Sequence, residues 1–164
     1  MPFTIKKTYE FEAAHCINTQ SEKVQGTPCK FIHGHSFKVE VELESNDVDP
    51  KTGMVVDFYF LNDIIQPLIK SLDHTLILHS EVAKDFRVLK KKLCEDSTDN
   101  NNNFFCNYIK IVEISFPPTA ENMAKFFYDY INLNIAEKEE FRRVRVKSVT
   151  FWETSKSCAT FSDD

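Results

Sequence analysis

A chain of 164 residues, 42% hydrophobic and 27% charged, has the size and composition of one globular domain spanning 1–164. Its formal charge of −5 argues against nucleic acid as the main partner, because binding phosphates needs a basic surface. Three glycines leave no GxGxxG or GxxxxGK phosphate loop, and no apolar run approaches the ~18 residues of a membrane span. The segment Met1–Lys7 lacks the apolar core of a signal peptide. The cysteines (Cys16, Cys29, Cys94, Cys106 and Cys158) are odd in number and contain no CxxC. That is unlike a disulfide framework and fits a reducing compartment, so a cytoplasmic protein is expected.

In chain order, residues 4–14 (TIKKTYEFEAA) and 35–48 (HSFKVEVELESNDV) read as strands. In the second, Phe37, Val39, Val41 and Leu43 alternate with Lys38, Glu40, Glu42 and Glu44, the period of an antiparallel strand with one wet side. Asp49-Pro50-Lys51-Thr52-Gly53 reads as a turn. Asp57 caps a helix to about Ser71, with Leu61, Ile64, Ile65, Leu68 and Ile69 at helical spacing. A helical stretch (EVAKDFRVLKKKL) follows, with Lys90, Lys91 and Lys92 on a solvated face, and runs into CEDSTDNNNN, expected to be a mobile surface loop. Tyr108–Ser115 returns to a strand pattern, Pro117-Pro118 stops it, and Thr119 caps a second helix from Glu121 to Leu133. Phe141–Phe161 reads as a hairpin turning near Ser155-Lys156-Ser157. The order is β-β-α-insert-β-α-β-β. That is an α+β pattern without the strand–helix alternation of a parallel sheet.

The histidines fall at 15, 33, 35, 74 and 79. His33 and His35 flank Gly34 at the start of a strand, where residues two apart share a face about 7 Å apart. Gly34 is expected to remove a side chain that would crowd them. His15 ends the preceding strand, and hairpin pairing would bring it alongside. Three neutral imidazoles with one open position make a catalytic zinc arrangement. Cys29, four residues before His33, is either a small buried hydrophobe or a thiol whose thiolate a nearby cation favours. Cys16, beside His15, is its rival by spacing. Asp73-His74 places a carboxylate next to an imidazole after the first helix. Glu153, in the apolar context VTFWETS, needs a partner, and an amino-pyrimidine edge offers two adjacent N–H donors.

Six segments in this order, FEAAH (11–15), CKFIHGHSF (29–37), DPKTGMVVDF (49–58), LDH (72–74), PTAEN (118–122) and WET (152–154), resemble the 6-pyruvoyltetrahydropterin synthase family. 6-Carboxytetrahydropterin synthase of queuosine biosynthesis belongs to it. The resemblance implies the tunnelling fold, a four-stranded antiparallel sheet with two helices on one face, and leaves 80–116 as an insert. It also implies homohexamers built from two trimers, with active sites between subunits. By motif, His15, His33 and His35 match the Zn²⁺ ligands, Cys29 the catalytic cysteine and Asp73-His74 the pair that works with it. Glu153 matches the pterin-anchoring glutamate, and Thr119 and Glu121 of PTAEN match substrate-binding positions.

Cysteine separated from HGH by three residues is similar to the 6-carboxy enzymes, whereas the animal 6-pyruvoyl enzymes have a longer gap. A folate-branch group uses a glutamate close before HGH, and the nearest upstream glutamate in this chain is Glu22. The expected activity is zinc-dependent conversion of 7,8-dihydroneopterin triphosphate to 6-carboxy-5,6,7,8-tetrahydropterin, releasing acetaldehyde and triphosphate. The alternatives are 6-pyruvoyltetrahydropterin synthase, a folate-branch cleavage, and a non-catalytic zinc- or pterin-binding module.

Overall fold

The computed structural model describes residues 1–17, 22–95 and 107–163. They form β1 (Phe3–His15), α1 (Glu22–Gln25), a 3₁₀ turn (Pro28–Lys30), β2 (His33–Ser45), α2 (Phe58–Leu72), β3 (Thr75–His79) and α3 (Ser80–Glu95). Then come β4 (Ile111–Ile114), α4 (Ala120–Ile135), a 3₁₀ turn (Glu139–Phe141), β5 (Arg145–Thr154) and β6 (Ser157–Phe161). The chain divides into two compact units. The first holds Met1–Phe11, Ser36–Ser71 and Ala120–Asp164, and the second Glu12–His35 and Leu72–Thr119.

In the first unit the alternation along β2 does what its period requires. Phe37, Val39, Val41 and Leu43 are at most 1% exposed, while Glu40, Glu42 and Glu44 face cations across the strands. Lys6 pairs with Glu40 at 3.1 Å, Lys147 with Glu42 at 2.9 Å and Arg145 with Glu44 at 2.6 Å. Exposed pairs of this kind add little stability, but they keep that side of the sheet wet. On the buried side Phe37 stacks 5.3 Å from Phe11 and 5.2 Å from Phe151, and Phe127 of α4 lies 6.3 Å from Phe11. Tyr9, two residues before Phe11, donates its hydroxyl to Asn62 of α2 at 3.2 Å. Both helices therefore cover the same face of β1. β2 and β5 pair antiparallel with a register shift between Glu42 and Leu43. The bulge lets Val146 and Val149, three apart, both bury.

Local signals hold as read. Asp49 Oδ1 accepts the amides of Lys51 and Thr52 at 2.8 and 3.0 Å, and Gly53 takes φ 72° to close the turn. Asp57 Oδ1 accepts the amide of Tyr59 at 2.8 Å and caps α2.

The second unit departs from the four-stranded expectation. Thr75–His79 is a strand parallel to β1 (Ala13↔Thr75, His15↔Ile77), and β4 pairs parallel to it in turn. The sheet order is β4-β3-β1-β2-β5-β6, so the sheet is six-stranded and mixed rather than four-stranded and antiparallel. TLILH is buried at four of its five positions. A strand covered on both faces shows an unbroken apolar run and no alternation, which is why its pattern did not mark it. The insert supplies the cover: Val82, Ala83 and Phe86 of α3 pack on Leu76, Leu78, Ile111 and Cys16. Arg87 of α3 also pairs with Glu113 of β4. Cys94, near the end of α3, is disulfide-bonded, against the expectation of unpaired thiols. The expected loop over CEDSTDNNNN lies mostly outside the described residues. No helix among the described residues is long and apolar enough to cross a membrane.

Phe127, fully buried in the aromatic cluster, gives a direct test of the core. Phe127→Ala should cost about 3–5 kcal/mol in urea unfolding. Leu133→Ala, at a position 76% exposed on the same helix, should stay within about 0.5 kcal/mol.

Candidate metal centre and active site

The end of β1 and the start of β2 bring three imidazoles together. Ring centroids of His15 and His33 are 4.7 Å apart, His15 and His35 5.2 Å, and His33 and His35 4.9 Å. One ring nitrogen from each lies within 4.8 Å of the others. His15 is 2% exposed. Burial lowers its pKa from 6.5 to about 4, a carbonyl bond to Pro118 works against that, and the neighbouring imidazoles lower it further. His15 is therefore neutral at physiological pH. Its Nδ1 lies 2.8 Å from the Pro118 carbonyl, and Nδ1 of His33 lies 2.7 Å from the Phe31 carbonyl. A carbonyl only accepts, so each Nδ1 carries the proton and each Nε2 offers its lone pair. Such a donor set fits a tetrahedral ion, whose imidazole nitrogens stand about 2.0–2.1 Å from zinc. The three histidines can hold a metal ion. Crowding does not explain Gly34: a Cβ there would meet only the Ala13 carbonyl at 3.5 Å, an ordinary contact.

The two cysteines near the cluster separate by environment. Cys16 is 5% exposed and packs with Leu76, Leu78 and Ala83. Burial pushes its thiol pKa up. Cys29 is exposed, so the buried-hydrophobe reading does not apply to it. It sits in the 3₁₀ turn before β2, and its carbonyl accepts the amide of Ile17 at 2.8 Å. That bond pins the Cys29 segment to the chain two residues beyond His15.

Asp73 and His74 do face one another. His74 Nδ1 is 2.9 Å from Asp73 Oδ2, and His74 has φ 56°, the left-handed region rarely used by residues other than glycine. β1 secures the turn, because Glu12 donates its amide to Asp73 Oδ1 at 2.9 Å and accepts the amide of His74 at 2.6 Å. The Glu12 amide is the main reason that the Asp73 carboxyl stays below the usual carboxylate range.

The sequence model of the 6-pyruvoyl tetrahydropterin synthase family matches residues 4–164. The chain belongs to this family. It is 30% identical over 174 aligned positions, covering 100% of both chains, to 6-carboxy-5,6,7,8-tetrahydropterin synthase of Aquifex aeolicus. An uncharacterized protein of Wolinella succinogenes shares the fold with TM-score 0.78 at 25% identity, over 100% of this chain and 99% of the other. Caenorhabditis elegans 6-pyruvoyl tetrahydropterin synthase shares it with TM-score 0.64 at 21% identity, over 100% and 97%.

The remaining residues matched to the 6-pyruvoyl tetrahydropterin synthase family are distributed as follows. Thr119, half-buried, directly precedes α4, and Glu121 is exposed in its first turn. Glu153 is half-buried on β5, at a register shift between Trp152↔Cys158 and Thr154↔Ser157. Within the second unit the three histidines converge, and hydrogen bonds tie Asp73-His74 to Glu12 of β1 and Cys29 to Ile17, two residues past the end of β1. Glu121 and Glu153 belong to the first unit. The groups that orient the site (carbonyls of Phe31 and Pro118, amides of Glu12 and Ile17) are backbone and have no signature in sequence. The adjacency of Asp73 and His74 suggested the pair itself but not the left-handed turn that His74 adopts.

Metal content tests the cluster. The purified protein should carry close to one divalent ion per chain. His33→Ala should weaken retention at least tenfold, and Cys16→Ala should leave it unchanged, read by plasma mass spectrometry after dialysis. Full retention by His33→Ala would contradict the geometry.

Proposed function

We propose that the whole chain, 1–164, acts as one pterin synthase domain. The reaction is conversion of 7,8-dihydroneopterin triphosphate and one water to 6-carboxy-5,6,7,8-tetrahydropterin, acetaldehyde and triphosphate, as in a queuosine-type pathway. The observation that carries the proposal is the set of three converging imidazoles with the exposed Cys29 pinned beside their strand. Support for the 6-carboxy product comes from the name of the Aquifex aeolicus relative and from the three residues between Cys29 and His33.

In this reading His15, His33 and His35 hold Zn²⁺, which when bound supplies a Lewis acid for the oxygens of the substrate side chain. Cys29, as thiolate, removes a carbon-bound proton. His74 delivers a proton on the other side, held in its tautomer by Asp73, which stays ionised because the Glu12 amide holds its pKa down. Glu153 accepts the paired N–H donors of the pterin ring, and Thr119 and Glu121 contribute to substrate binding. The protein works as a homohexamer that shares its active sites between subunits. Open sheet edges favour such closure, and a monomer in light scattering would contradict it.

A second reading, 6-pyruvoyl tetrahydropterin synthase, draws support from the description of the matching family. It uses the same residues and releases only triphosphate. Mass spectrometry of the products from dihydroneopterin triphosphate separates the two, because only the first reading yields acetaldehyde and a carboxylated pterin. In the same assay Cys29→Ala should lower kcat about 10²–10⁴-fold with metal retained, and Cys16→Ala should keep most activity. The reverse pattern would assign the base to Cys16.

A further inference from the structure

Trp152 lies one residue before Glu153, on the charged side of the sheet, directly opposite Lys38 in the β2–β5 register. The Lys38 ammonium sits 4.5 Å from the centre of the indole ring, within the range of a cation–π contact. The indole Nε1 is buried and has no hydrogen-bond partner among the described residues. A buried donor without an acceptor is a cost. The ring is thus held for its face and bulk, not for its N–H. On the other side of the strand, Phe151 is 1% exposed in the aromatic cluster, 5.2 Å from Phe37. Two successive residues of β5 are therefore clamped on opposite faces, and the next residue, Glu153, falls at the register shift against β6. Bulges re-aim side chains, and the direction they set is only as firm as the residues that flank them.

We propose that Trp152, braced by Lys38, is the positioning residue that aims Glu153. The proposal rests on the pterin-anchoring role given to Glu153 above. A misdirected anchor weakens capture of the substrate while the acid–base groups on the other unit stay intact, so the effect should fall on KM rather than on kcat.

The test measures kcat, KM for dihydroneopterin triphosphate, metal content and urea midpoint for Glu153→Gln, Trp152→Leu, Trp152→Phe and Lys38→Met. Trp152→Leu should raise KM about tenfold with kcat within about threefold and metal unchanged. Trp152→Phe should return KM to within about threefold of the parent, with a midpoint no lower, since it keeps a ring and deletes the unpaired donor. Lys38→Met should raise KM in the same direction by a smaller factor. If Glu153→Gln raises KM and Trp152→Leu does not, or if the Phe variant fails to rescue, the positioning role is overturned and the anchor stands. If Glu153→Gln leaves KM unchanged, the anchor itself falls and the positioning role with it. Should Trp152→Leu fail to fold, Lys38→Met and Trp152→Phe decide by the same criteria.

Discussion

The backbone of residues 12–17 is the constraint on which the second unit's chemistry depends. Glu12 holds Asp73 and His74 through its own amide and carbonyl. His15 turns inward to meet His33 and His35, and the amide of Ile17 takes the carbonyl of Cys29. Because strand residues alternate, the same stretch sends Cys16 to the opposite face, under α3. One strand end thus orders three converging imidazoles, a carboxylate–imidazole pair and an exposed thiol. It also places the second thiol where burial disfavours its thiolate.

The cluster itself is built from opposing preferences. Burial of His15 disfavours its charged form far more than the Pro118 carbonyl favours it, so the ring stays a neutral donor. Carbonyl bonds at Nδ1 of His15 and His33 then choose which nitrogen is left for an ion. An exposed His15 would lack the first property. On the far side of β1 the α3–β4 segment buries Leu76, Leu78 and Cys16.

Much of this was legible in the sequence because side-chain periodicity and motif spacing are direct records of faces. The β2 alternation, the Asp57 cap, the Asp49 turn and the pairing of His33 with His35 across Gly34 all appear where their patterns place them. What was not legible falls into two kinds. β3 is buried on both sides and carries no alternation, so no strand was read there. The second kind is backbone, since the carbonyls and amides that orient the rings and pin Cys29 belong to residues whose side chains are irrelevant to that task.

The central claim is that the histidines alone ligate the ion and that Cys29 stays outside the coordination shell as a base. Zinc K-edge absorption on the zinc-loaded protein reads this directly. The account predicts imidazole nitrogens at about 2.0–2.1 Å, the back-scattering pattern of three rings, and no sulfur shell. A sulfur at about 2.3 Å would make Cys29 a ligand and contradict the account.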